Sequence, residues 1–436
     1  MEETRLEIID VRTQSSALLE ALRQRSLDDL SPEVERTTRE IIERVREEGD
    51  RAVVEYTRQF DCPTLTVEDL RVRPREIEAA YGEVSPEWVG AFRHAKENIY
   101  AFHERLRPGS WLDSFEGLWL GQKVTPLASA GIYVPAAKAP LPSTLAMCAV
   151  PAHVAGVERL VLASAPQRDG RLHPTMLVAA AECGIDEIYR MGGAHAIAAL
   201  AYGTDTIEPV HKIVGPGNPY VIMAKKLVYG TVGIESLPGP SESLIIADGG
   251  ADPRLVAADL LSQAEHTGDN LVILLTPDAK LAAAVRDEAY AQLERLPRLE
   301  LTGKSLGEYG VIAIVRDLAQ AVEISNDIAP EHLELTVADP LSLLADVENA
   351  GCVCLGHRTT VPLADYAAGP SHVLPTNGTA RFSSPLSVED FIKRTSVVYA
   401  DERGLQRLGP DVVLLAEGEG LVAHAEAVRK RLTRGS

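Results

Sequence analysis

From about residue 124 onward, apolar runs of strand length alternate with stretches of helical periodicity. GIYVP, RLVLASA, DEIYRMG and HKIVGPG are separated by STLAMCAVPAHVAG, HPTMLVAAAECG and AHAIAALAYG. Strands that are apolar throughout need cover on both faces, so this rhythm implies a parallel sheet covered by helices. After the turn-rich SLPGPSES it restarts with SLIIAD, NLVILLTP, GVIAIV, LELTVAD and CVCLGH, divided by helices such as DPRLVAADLLSQAEH. Two α/β units of similar size therefore follow one another, with no obvious sequence repeat between them. A chain of 436 residues is too long for one hydrophobic core and fits that division.

The flanks read differently. The first hundred or so residues read as helical. Ser31-Pro32 supplies an N-cap and a first-position proline, Val34, Ile41, Ile42 and Val45 fall on one face, and Gly49 closes the helix. The last fifty return to helix, from the Ser387-x-x-Asp390 start to a basic final turn. No run of about 18 uninterrupted apolar residues occurs, so a membrane-spanning helix is not expected. The acidic, amphipathic start MEETRLEIID is not that of a secretory signal, so a cytoplasmic protein is expected. A net charge of -20 argues against a nucleic-acid partner, since neutralising phosphates takes a basic surface. Cys352 and Cys354 share one strand face and read as core thiols, because no second pair completes a zinc-finger layout.

Several segments hold chemistry-bearing side chains. GPGNPY at 215–220 follows a strand and opens a helix, so its backbone amides could cradle a phosphate, or it could be a tight turn. Tyr220 stands where the full dinucleotide fingerprint has its third glycine. Gln263 and His266 are three apart near a helix end, which suits either two ligands of one metal or a polar terminus. Glu331 and His332 follow a proline. Neighbours do not share a helix face, but in a loop at a strand mouth both could reach one substrate and divide acid–base work, or they could form a charged turn before strand LELTVAD. Asp365 and His372 lie in the long turn-rich segment DYAAGPSHVLPT, and Glu419 and His424 in EGEGLVAHAEAV. No H-E-x-x-H or G-x-S-x-G motif is present. The residues alone describe an α/β enzyme without naming a reaction.

Taken together, GIYVPAAKAPLPST, MGGAHAIAALAYGT, KIVGPGNPYV, GPSE, DLLSQAEH, APEHLEL, ADYAAGPSHVLPT, ARFSSPLSVEDFIKRTSV and AHAEAV resemble the histidinol dehydrogenase family, in order and over nearly the whole chain. The resemblance implies two incomplete Rossmann-like domains in a homodimer. The expected divisions are an N-terminal helical segment at 1–27, a discontinuous α/β domain from 28–125 and 239–386, an NAD-binding domain at 126–238, and a helical 387–436 that reaches the partner's active site. It implies zinc held by Gln263, His266 and Asp365, with His424 from the second subunit. Implied substrate contacts are Ser241, Gln263, His266, His332, Asp365, His372, Glu419 and His424, and implied NAD contacts are Tyr133, His195 and Asn218. The implied reaction is oxidation of L-histidinol to L-histidine with two NAD, with Glu331 and His332 as its acid–base residues. The alternative is a zinc- and NAD-dependent relative acting on another small alcohol, such as a sulfonated diol. Two positions depart from the family pattern: His195, where glutamine usually follows GGA, and Ala364, where glycine usually precedes the aspartate.

Overall fold

The alternation of apolar runs and helices becomes two parallel sheets in the computed structural model, which describes residues 6–13, 31–136, 140–266 and 268–433. Strand β1 (Glu7–Asp10) comes first, followed by helices Pro32–Glu48, Asp50–Phe60, Pro74–Ala80 and Pro86–Glu104. An antiparallel hairpin, β2 (Trp111–Phe115) and β3 (Leu118–Pro126), leads into the first α/β unit. Its strands are β4 (Ser129–Tyr133), β5 (Arg159–Ser164), β6 (Glu187–Arg190), β7 (Lys212–Val214) and β8 (Gly233–Ile234), in the spatial order β6-β5-β4-β7-β8. The second unit contains β9 (Glu242–Ala247), β10 (Leu271–Thr276), β11 (Gly310–Ile314), β12 (His332–Thr336) and β13 (Cys352–Leu355). With β1 at its edge, that sheet runs β1-β11-β10-β9-β12-β13. Strand β14 (Ile392–Ala400) and helices Glu402–Gly418 and Val422–Leu432 complete the described chain.

β1 aside, the two sheets are wound alike. In each, the first strand is central, the next two lie to one side, and the last two to the other. This is a repeat of topology without one of sequence. Every ladder in both sheets is parallel, so all the strand carboxyl ends of a sheet emerge on one rim.

Two sequence expectations change. Residues 1–27 were expected to be helical, yet Glu7–Asp10 pairs with β11, Glu7 opposite Val311 and Asp10 opposite Ile314. The open sheet edge satisfies its backbone groups, while Leu6 and Ile8 join one hydrophobic cluster and Ile9 another. Residues 14–27 lie outside the described residues. Residues within 28–125 share hydrophobic clusters with the first unit. Ile41, Val45 and Val53 pack with Val161, Tyr189 and Ile197 of the first unit, and Val89, Phe92 and Ile99 pack with the buried helix Pro142–Ala155. The second change concerns 387–436. The Ser387–Asp390 capping box opens only one tight turn, Val388–Phe391, and IKRTSVVYA then runs as β14 beside β3. Its β-branched residues suit a ladder better than a helix. Helix begins at Glu402.

Candidate active site and cofactor crevice

In the first unit, connections leave β4 in one direction and β7 lies on the other side of it, so the carboxyl ends of these two strands flank a crevice. Open parallel sheets bind ligands at such a switch point. β4 ends at Tyr133, and β7 leads into Gly215-Pro216-Gly217-Asn218. Gly215 has φ +116°, and a Cβ there would collide with the Tyr133 carbonyl oxygen. A Cβ on Gly217 would strike the Val221 side chain, so the loop needs both glycines to lie this close to its neighbours. Asn218 is exposed and caps helix Pro219–Val228, accepting from Val221 N at 3.1 Å. The helix's remaining free N–H groups and its dipole face the crevice mouth, an arrangement suited to a phosphate.

A buried ion pair fixes the loop from beneath. Lys225 Nζ donates to the Gly215 carbonyl at 3.1 Å and to Glu235 Oε1 at 2.7 Å, and Gly215 N donates to the same carboxylate oxygen at 2.8 Å. Both peptide groups of Gly215 are thus held by one buried pair. In the second unit the equivalent carboxyl-end gap, between β9 and β12, is closed differently. Asp248 Oδ2 accepts from Ala338 N at 2.7 Å across it.

The second cluster forms at the opposite, amino-terminal rim of the six-stranded sheet. Glu331 directly precedes β12 and His332 is its first residue, so both stand at a strand mouth. Glu331 is 5% exposed, and its Oε2 accepts from Glu242 N at 3.0 Å. Ser241 also hydrogen-bonds to it. His332 Nε2 lies 3.8 Å from Glu331 Oε1 and 3.9 Å from Asp365 Oδ2. Asp365 projects from the wide turn Ala364–Ala368, and its backbone carbonyl accepts from His372 Nδ1 at 2.8 Å. His372 Nε2 meets Thr144 Oγ1 at 2.9 Å. Thr144 lies in the first turn of the helix that follows β4, so this contact ties the cluster to the cofactor-crevice side of the molecule. Ala364 has φ −65°, so the alanine is unstrained where the family pattern has glycine.

Gln263 sits in the last turn of helix Pro253–Ala264, buried, with neither Oε1 nor Nε2 hydrogen-bonded. His266 lies just past that helix, exposed, its Nδ1 3.3 Å from the Gln263 carbonyl. It is near enough to His332 and His372 to disfavour protonation of both. Burial, aided by His372 and His266, lowers His332 to about 3, and burial lowers His372 to about 4. Burial raises the Asp365 carboxyl to about 7 and lifts Glu331 well above the ordinary range, against the opposing pull of the Glu242 amide. Burial thus favours the neutral forms of the His332 and His372 imidazoles and of the Asp365 and Glu331 carboxyls.

The metal expectation can be tested on these donors. An orphaned buried amide, a carboxylate and an imidazole fit part of a zinc set. Among the described residues no group of three or more His, Cys, Asp or Glu could hold a metal ion by itself. His424 and Glu419 do not complete the set within one chain. Both are exposed on the C-terminal helix pair, and no hydrogen bond or ion pair joins them to the cluster among the described residues.

The structure separates the three cofactor expectations. Asn218 stands at the crevice. Tyr133 is buried beside it, its hydroxyl accepting from Gly193 N at 3.1 Å, and burial pushes its phenol to about 12. The third, His195, is buried. Its ring is 1% exposed, meets Thr57 Oγ1 at 3.1 Å and stacks on Tyr56 and Phe60. Sequence reasoning missed Thr144, Lys225 and Glu235. A lysine within the apolar helical run PYVIMAKKLV was the one available signal.

The sequence profile described as "Histidinol dehydrogenase" matches residues 23–432. The chain is 50% identical over 427 residues to histidinol dehydrogenase of a Synechococcus species, covering 98% of both chains. It is 52% identical over 394 residues to that of Moorella thermoacetica, covering 90% of this chain and 93% of the relative. The solved histidinol dehydrogenase of Elizabethkingia anophelis superposes with a TM-score of 0.93 at 36% identity, covering 99% of this chain and 98% of that one. An acetylating aldehyde dehydrogenase from Geobacillus thermoglucosidasius, at 14% identity and a TM-score of 0.50, shares the fold alone over 88% of this chain and 94% of that one.

Proposed function

The chain belongs to the histidinol dehydrogenase family, and from that premise we propose that it oxidises L-histidinol to L-histidine with NAD at the Glu331–His332 cluster. The observation that carries the reading is the convergence of the two side chains, 3.8 Å apart at one strand mouth. The Gly215–Asn218 cradle would hold NAD, which would supply a hydride acceptor for each of two oxidations. His332 takes the hydroxyl proton as the alcohol carbon loses its hydride, giving the aldehyde. Glu331, once ionised, takes a proton from water as the water oxygen bonds to the aldehyde carbon, and protonated His332 gives its proton to the carbonyl oxygen, forming the hydrate and freeing the imidazole. His332 then removes a hydroxyl proton of the hydrate as the second hydride leaves, giving the acid. The balance is one water consumed and two hydrides transferred.

Zinc fits Gln263, His266 and Asp365 with His424 of a second copy, and would hold the substrate's imidazole and amino nitrogens. Ser241, His372 and Glu419 complete the proposed substrate contacts. A homodimer follows from this set, because His424 and Glu419 lie exposed on their own chain. The C-terminal sheet and helix pair also expose Trp111, Phe115, Val398, Leu414, Leu415 and Val422, an apolar surface suited to a second copy. No described helix is long and apolar enough to cross a membrane. A cytoplasmic site of action belongs to the same proposal.

The test is stoichiometric. About two NADH should form per L-histidinol, and a chelator should abolish turnover until zinc is returned. One NADH per histidinol would remove the second oxidation, and indifference to chelation would remove the metal.

A further inference from the structure

In a dinucleotide crevice, an acidic side chain near the carboxyl end of the strand next to the central one commonly holds the adenosine ribose. That strand here is β5, and it runs out into Ala165-Pro166-Gln167 without an acid. A carboxylate nevertheless arrives there from outside the sheet. Asp61, at the end of helix Asp50–Phe60, places Oδ2 within 3.5 Å of a Cβ built on Gly192, the same built atom lying 2.8 Å from Ala165 Cβ. Gly192 follows β6, and the next residue donates its N–H to the Tyr133 hydroxyl of β4. Asp61 is close enough to that hydroxyl to disfavour its ionisation. The carboxylate thus lies beside the residues that follow β5 and β6, near the Tyr133 end of β4. No hydrogen bond or ion pair to it is found among the described residues, and it is only half-buried, leaving its oxygens open to a ligand.

Resting on the cofactor reading above, we propose that Asp61 is the cofactor-specificity residue: its carboxylate accepts the adenosine-ribose hydroxyls of NAD and repels the 2′-phosphate of NADP. A vicinal diol offers two O–H donors to one carboxylate, whereas a 2′-phosphate removes a donor and brings like charge against it. The bland alternative is that Asp61 serves helix Gly193–Tyr202 as a favourable charge at its N-terminus.

The two roles differ in what they move. Asp61→Asn and Asp61→Ser are assayed with varied NAD or NADP at saturating L-histidinol, and with varied L-histidinol at saturating NAD, alongside thermal melts. The NAD KM should rise at least tenfold, the preference for NAD over NADP should fall at least tenfold, and the histidinol KM should not follow. An NAD:NADP preference within twofold of the parent, with or without a lower Tm, would overturn the assignment. Asn218→Asp keeps the helix cap and adds charge at the cradle, so it should weaken NAD and NADP alike. If it affects neither, the crevice reading fails and Asp61 falls with it. If it weakens both while the Asp61 variants keep the preference, only the Asp61 assignment fails.

Discussion

A carboxyl group tied to a backbone amide and enclosed by apolar strands becomes a useful base only when something draws off its proton. Glu331 is so placed, and His332 beside it is a weak base for the same reason of burial. Glu331→Gln keeps the acceptor for the Glu242 amide but cannot take a proton from water. The histidinal-to-histidine half-reaction should slow by about 10²–10⁴-fold while histidinol-to-histidinal changes far less, as stopped-flow NADH traces would show. Equal slowing of both halves would refute separate roles. His195 offers a prediction about stability instead. Burial lowers its pKa from 6.5 to about 3, so the unfolded chain binds an extra proton between those values. Stability is therefore lost as pH falls from about 6.5 toward 3, by at most about 1.4 kcal/mol per pH unit for this one group. His332 and His372 act in the same direction, whereas Asp365, raised to about 7, acts oppositely above about 4. His195→Gln, able to keep a bond to Thr57, should flatten the melting-temperature profile between pH 6.5 and 4. An unchanged profile would show that the ring is protonated in the fold.

At the scale of elements, legibility followed hydrophobic period. The two α/β units were readable because strands buried on both faces are apolar throughout and helices between them are not. β2, β3 and β14 were not, since WLDSF, LWLGQKVTP and IKRTSVVYA mix exposed apolar and polar residues without a buried face to impose alternation. β1 was hidden in an acidic segment whose partner, β11, is some three hundred residues away. The loop Gly215–Asn218 was visible as a motif, but its support from Lys225 and Glu235 was not, because a buried ion pair has no sequence period. Lys225→Met would leave the Glu235 carboxylate buried and unpaired. We expect a loss of roughly 3–5 kcal/mol in chemical denaturation. Lys225→Met with Glu235→Gln should recover part of it, since the pair then carries no charge. A double variant as unstable as the single would mean that the cost is packing.

On the scale of the whole molecule, the candidate site was legible as a set of residues only through resemblance, because its members are spread from Ser241 to His424 and share no spacing. The fold brings Glu331, His332, Asp365 and His372 to one rim and leaves Glu419 and His424 on a remote pair of helices. If a second copy supplies His424, two dead variants should rescue each other. His332→Asn and His424→Asn chains, unfolded and refolded together in equal amounts, would place half the protein in mixed dimers with one intact site each. About a quarter of parental activity should return, against almost none from either variant alone. No recovery would confine the site to one chain. The winding that recurs in both sheets carries a further consequence. A chain that duplicates one nucleotide-binding architecture holds two potential anion crevices, and only one has kept a glycine cradle. In the other, Asp248 bridges the gap to Ala338 and presents a carboxylate where a phosphate would enter. Duplication followed by division of labour would leave that trace: one half retained for the cofactor, the other closed at one rim and free to evolve its opposite rim for the substrate.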